Sequence, residues 1–366
     1  MAIPSHGTVG QGSGVGRADA AGAPAYLRMG TVVILYALAA TVWTAYEIND
    51  YDVQGEGHFF KSLWDPRAGI VPMAQTPYDW AMVATALVAG ALALGRRRVA
   101  RGALMLFAVA LLWLALRDLI GLSASDTYRE LVTASDYGKG FIAVRVTGLV
   151  IGIAVLAEMA RAGRRPLPPF GAPQQQYGYG YPAAYGAPAP YDGYGPGGQV
   201  PPPPGYLPHP GGPRPGAVAA GVCLLLMGLT ALGWLIYRLT RHSVYLTGTT
   251  YGGGTDSDAG DFFRNLVDAS HGPSDPYVFY SVALVAAPLL IGTVLLQRRP
   301  AARGAALALA FMALYIDVRG LVPVFDEGHW DAYFDTTVGA LALLTSFFTA
   351  FLEVVVIVTL LRVPEE

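Results

Sequence analysis

Residues 166–215 read PLPPFGAPQQQYGYGYPAAYGAPAPYDGYGPGGQVPPPPGYLPHPGGPRP. Proline lacks the amide donor that helix and sheet interiors need, and glycine has the most backbone entropy to lose. Nothing in the stretch recurs with a helical or strand period. No apolar face therefore forms to offset the entropy of ordering. The stretch is expected to be a disordered linker, with Pro201 to Pro204 favouring extended polyproline II and the Gly-Tyr part remaining loose. Four long apolar segments lie on each side of it.

Of the 366 residues, 53% are hydrophobic and only 14% charged. A soluble globular chain carries about 25% charged residues. The missing charge is missing in blocks, which points to membrane helices of ~20 residues crossing a hydrocarbon layer of ~30 Å. The predicted spans are 27–46, 80–95, 102–122 and 140–160 before the linker, then 217–237, 277–296, 304–324 and 336–361 after it. The fold class expected is an all-α integral membrane protein with eight transmembrane helices. The expected parts are a disordered tail (1–26), a first four-helix unit (27–165), the linker (166–215), a second unit (216–362) and a short C-terminus (363–366). The apolar run after residue 28 is too long for a cleaved signal peptide. The lone cysteine, Cys223, falls inside a predicted span and forms no internal disulfide.

Arginine sorts to one side. Arg96, Arg97, Arg98 and Arg101 follow the second predicted span, and Arg161, Arg164 and Arg165 follow the fourth. Arg298, Arg299 and Arg303 follow the sixth, and Arg362 the eighth. Short basic loops stay in the cytoplasm, so both termini and the linker are expected there and the acidic loops outside. Arg238 and Arg241 dissent and are outvoted.

The two units share a plan. Trp43-x-x-Tyr46 matches Trp234-x-x-Tyr237, Pro77-Tyr78 matches Pro276-Tyr277, and Ala100-Arg101-Gly102-Ala103 matches Ala302-Arg303-Gly304-Ala305. Phe59, Phe60 and the Lys-Ser-Leu after them match Phe262, Phe263 and Arg-Asn-Leu, a motif suited to a short helix at the membrane interface. The same matches, in the same order, predict a duplicated four-helix unit. With an even number of spans, the copies relate as parallel repeats about a pseudo-twofold axis along the membrane normal.

Charges inside spans are costly and carry a functional hypothesis. At ~1.5 Å per residue, Arg117 and Asp118 stand about 24 Å from Arg101, near the end opposite the arginine clusters. Asp317 and Arg319 reach a similar height from Arg303, and Arg145 falls in the same zone. These groups are expected to form one belt, with Arg117 and Asp118 pointing apart toward partners on other helices. The belt either fastens the two units or opens as a polar site. Glu353 lies about 13 Å from Arg362, close to mid-membrane. It is expected to be a neutral acid hydrogen-bonded to a neighbouring helix, or a group that handles protons or cations.

The histidines His58, His242, His271 and His329 lie among acidic residues, but no pair has a recognised ligand spacing. No metal and no cofactor is expected. There is no His-Glu-x-x-His, Gly-x-Ser-x-Gly or Walker loop, so no enzyme is expected, and nothing suggests nucleic acid as a partner. The partners expected are the lipid bilayer and cytosolic proteins that the linker's tyrosines and prolines would dock. The functional expectation is an organising or interaction protein, a scaffold or sensor. The alternative is a small-solute or ion transporter or channel using the interface between the units. The Ala/Gly/Arg-rich spans, scarce lysine and Pro-Gly-Tyr tract resemble uncharacterised multi-pass membrane proteins of high-GC actinobacteria. That resemblance implies a bacterial plasma membrane and no particular activity.

Overall fold

A computed structural model describes residues 23–51, 61, 63, 77–95, 99–124, 126–134, 136–163, 215–240, 277–297, 299–325 and 329–362. The predicted linker up to residue 214, the interfacial phenylalanines Phe59, Phe60, Phe262 and Phe263, and His58, His242 and His271 lie outside the described residues.

Among the described residues every element is helical. The first unit comprises α1 (Ala23–Tyr51), α2 (Pro77–Leu94), α3 (Ala100–Ala124), α4 (Asp126–Thr133) and α5 (Asp136–Gly163). The second comprises α6 (Pro215–Thr240), α7 (Tyr277–Leu296), α8 (Pro300–Leu321), α9 (His329–Phe334) and α10 (Thr337–Arg362). Six helices are long and apolar enough to cross a membrane, as in a multi-pass membrane protein. Two of the eight predicted spans, in α2 and α7, are shorter apolar stretches, Asp79–Leu94 and Tyr280–Leu296.

Helix limits follow from local chemistry. Arg299 is extended (φ −72°, ψ 121°) because Pro300 excludes the helical region for the residue before it. Pro300 then opens α8, where its missing amide is not needed. Leu321 leads into a tight 3₁₀ turn, Val322–Phe325, with Pro323 inside it. The short helices α4 and α9 stand where the sequence predicts plain polar loops. They are only eight and six residues long, so no apolar block of span length announces them.

In the first unit α1 packs on α2, α2 on α3, α3 on α5, and α5 back on α1. In the second, α6 packs on α7, α7 on α8, α8 on α10, and α10 back on α6. The units meet where α8 lies against α3 and α2. Small residues make the approach close. Gly30 and Gly90 face each other across α1 and α2, and Gly221 and Gly292 do the same across α6 and α7. At the seam a Cβ on Gly102 would strike the carbonyl of Ala301, and one on Gly304 would strike that of Val99. Without a hydrophobic drive between helices in lipid, such small-residue contacts are what allow close van der Waals packing.

Ala86, Ala89, Ala93, Ala103 and Phe107 are fully buried in the first core, and Ala306, Ala310, Leu309 and Val356 are buried in the second. The outside is as apolar as the inside: Val42 is 69% exposed, Leu344 66% and Phe351 63%. Water would disfavour that surface, and hydrocarbon would not. Buried Thr44 and Thr85 donate to the carbonyls of Ala40 (2.8 Å) and Ala81 (2.7 Å) and so need no outside partner.

Candidate functional site

Arg101, Arg161, Arg303 and Arg362 mark one end of the long helices, and Arg117, Asp118, Arg145, Asp317, Arg319 and Glu353 lie farther along them. They do not form one belt. They form two groups of different chemistry.

In the first unit α3, α4, α5 and the first turn of α2 converge on Asp118. Arg117 Nη1 donates to Asp118 Oδ1 at 3.1 Å, and the Tyr128 hydroxyl donates to the same oxygen at 2.9 Å. Arg117 Nη1 also reaches the Tyr128 hydroxyl at 3.3 Å, with its guanidinium 5.1 Å from the tyrosine ring centre. The expectation that Arg117 and Asp118 point apart is corrected. Their Cβ atoms diverge, but the long arginine side chain folds back around Tyr128 to its neighbour. Arg145 bridges two helices. Its Nη2 is 2.7 Å from Asp79 Oδ1, and its Nε is 3.0 Å from Asp118 Oδ2. The second contact is a charge–charge one, since those two atoms are not aligned for a hydrogen bond. The guanidinium lies 4.7 Å from the Phe141 ring centre.

Two cations thus face two anions, all nearly buried, with side-chain exposures from 5% to 12%. The group is neutral as a whole, which is how buried charge survives in a poor solvent. Burial, and then the Asp118 carboxylate beside it, push the Tyr128 phenol above its ordinary range, so it remains a donor. Tyr280 of α7, also buried, packs into the core of this first unit. A cavity of about 30 Å³ beside the group is lined by Tyr36, Trp43, Asp79, Phe141 and Arg145, among others. It is large enough for water and too small for an organic ligand.

In the second unit Asp317 turns away from the arginines. The Thr349 hydroxyl donates to Asp317 Oδ2 at 2.5 Å, and the Glu353 carboxyl meets that of Asp317 within hydrogen-bonding reach. Thr349 and Glu353 are one turn apart on α10, so the height difference counted from the helix ends is closed by side-chain reach. Arg319, two residues after Asp317, falls on nearly the opposite side of α8, where its guanidinium lies beside the Tyr315 hydroxyl. The Tyr315 hydroxyl donates to the Leu63 carbonyl at 2.6 Å, tying α8 to the first unit. One more bond links helices within the second unit, Trp234 Nε1 to Thr345 Oγ1 at 3.0 Å.

Sequence reasoning located Arg117, Asp118, Arg145, Asp317, Arg319 and Glu353 but missed Asp79, Tyr128 and Thr349. Asp79 reads as the end of an acidic loop, and only its place at the mouth of α2 hints at burial. Tyr128 sits in a polar stretch, and a threonine in a span carries no signal of its own. Among the described residues no three His, Cys, Asp or Glu side chains are grouped to hold a metal. No family model, curated protein or solved structure matches the chain.

Proposed function

We propose that the chain is a non-enzymatic bacterial plasma-membrane protein of eight spans, built as a duplicated four-helix unit, that organises or senses through its loops and its cytosolic linker. The repeated ring of helices and the matched glycine crossings support the duplication. The Gly102 and Gly304 contacts are reciprocal, each glycine meeting the counterpart of the other's partner, as a pseudo-twofold axis requires.

The observation that carries the functional reading is the tightness of that seam. Backbone meets backbone where α3 and α8 cross, which suits two units fastened together rather than a path between them. The linker is then the element free to recruit partners, through tyrosines such as Tyr177, Tyr179 and Tyr181 and the run from Pro201 to Pro204. Deleting residues 170–212 tests this. The expected outcome is an unchanged melting temperature in detergent with loss of the protein's native clustering or localisation in cells. Normal localisation of the deleted protein, together with solute flux in reconstituted vesicles, would reject the reading.

The transporter or channel alternative keeps one supporting observation, the pair of acids on α8 and α10. The spans lack the paired Gly/Pro breaks of discontinuous transporter helices, and Pro288 of α7 has no counterpart in α2.

A further inference from the structure

Every buried carboxylate of the first unit has an arginine. Asp79 is 2.7 Å from Arg145, and Asp118 lies beside both Arg117 and Arg145. The acids of the second unit are arranged differently. Glu353 is 1% exposed, its Oε2 is buried without a hydrogen-bond donor, and the nearest acidic oxygens are those of Asp317. Among the described residues no arginine, lysine or histidine lies within ion-pair distance of either carboxyl.

The titratable groups that neighbouring helices turn toward α10 can be named. From α8 they are Asp317 and Arg303, from α6 Cys223, and from α9 Tyr333. Arg303 is held by the Leu360 carbonyl at 3.3 Å, about 10 Å along α10 from Glu353, and does not reach the pair. Arg319 shares α8 with Asp317 but faces away. The one hydroxyl proton of Thr349 has Asp317 Oδ2 and the carbonyls of Thr345 (3.0 Å) and Ser346 (3.1 Å) within reach, and Glu353 is not among its acceptors.

Two carboxylates side by side, out of water and without a cation, cannot both stay ionised. A single proton resolves the contact. It removes one charge, and it supplies the donor that the two acceptor groups lack. We propose that Asp317 and Glu353 form a proton-binding site, a carboxylic acid and a carboxylate sharing one proton inside the helix bundle of the second unit. Among the described residues the first unit has no such site, so the two copies would differ in function where they differ in charge. The site stands whether or not the protein conducts a solute. It gives the second unit a group able to gain or lose a proton inside the membrane.

The test uses the full chain in detergent at neutral pH with N,N′-dicyclohexylcarbodiimide, an apolar reagent that adds to protonated carboxyls. In that reaction the acid proton moves to a carbodiimide nitrogen while a carboxyl oxygen bonds the central carbon, so the adduct carries the whole reagent. Mass spectrometry is expected to find one adduct per chain, on Glu353 or Asp317, with Asp79 and Asp118 unlabelled. The D317N/E353Q double variant should lose the adduct. Exchanging potassium chloride for sodium chloride should leave the yield unchanged. A second readout does not depend on reagent access. Glu353→Gln and Asp317→Asn should each melt close to the wild type, because the amide brings a donor to the carboxyl that remains and so takes the place of the shared proton. Asp118→Asn, which removes the charge facing Arg117 and one of the two facing Arg145, should melt well below them. Protection by sodium would mean that the pair holds a metal cation and would overturn the proton assignment. So would the absence of an adduct from both carboxyls, or a Glu353→Gln chain that melts as low as Asp118→Asn.

Discussion

Asp118 is the residue on which the first unit's charges turn. It takes two donors on one oxygen and an arginine charge on the other, from three different helices. Its depth was legible by counting residues from the arginine clusters. Its partners were not, because rotation about a helix axis is set by neighbours that a single sequence does not name. The same limit explains why Asp317 was assigned to the wrong group: its height suits the arginines, but its face looks to α10. The Asp79–Arg145 pair, at 2.7 Å between α2 and α5, makes a clean residue-level test. Losing one partner of a buried pair costs on the order of 3–5 kcal/mol, less where water reaches the orphan. Asp79→Asn and Arg145→Ala should each lower the melting temperature in detergent. The double variant should fall short of the sum by roughly 0.5–3 kcal/mol, the range seen for contacting residues. Strict additivity would show that the pair is not coupled.

At the scale of elements, six long apolar helices were legible because an apolar block of that length has few other uses. The short helices were not. Helix α4 has an average composition more polar than apolar; Tyr128 and Val132 pack it against α3 and α5, and Arg129 ties it to the Leu122 and Ser123 carbonyls of α3. Its counterpart α9 carries aromatic residues instead. Phe325, Trp330 and Phe334 remain exposed and touch one another, with ring centres 5.4–5.9 Å apart along the chain of contacts. Such rings suit the headgroup layer. The glycine crossing between α3 and α8 is the element most sensitive to a single substitution. A side chain at Gly102 or Gly304 meets the backbone of the facing helix, which cannot step aside as a flexible side chain can. Gly102→Leu and Gly304→Leu should therefore both destabilise the protein strongly. Gly233→Leu, at a position with open space around it, should be near neutral. Thermal melts in detergent decide this. Equal tolerance at all three glycines would remove the seam from the account.

For the whole molecule, the proposed topology has eight crossings with the arginines on one side, two more crossings than the six long apolar helices supply. Helices α2 and α7 are its weakest members by apolar length, at 18 and 20 residues in all. At ~1.5 Å per residue they measure about 27 and 30 Å, so α2 falls slightly short of a hydrocarbon layer of ~30 Å and α7 just matches it. If α2 did not cross, Lys61 and Arg97 would share a side of the membrane. Single cysteines placed at Lys61, Arg97, Asp126, Pro190, Gln297 and Asp331 in a Cys223→Ala background can be probed in intact cells with a membrane-impermeant maleimide. The account predicts labelling of positions 61, 126 and 331 from outside, and of 97, 190 and 297 only after the membrane is opened. Labelling of positions 61 and 97 from the same side, or of position 190 in intact cells, would contradict it.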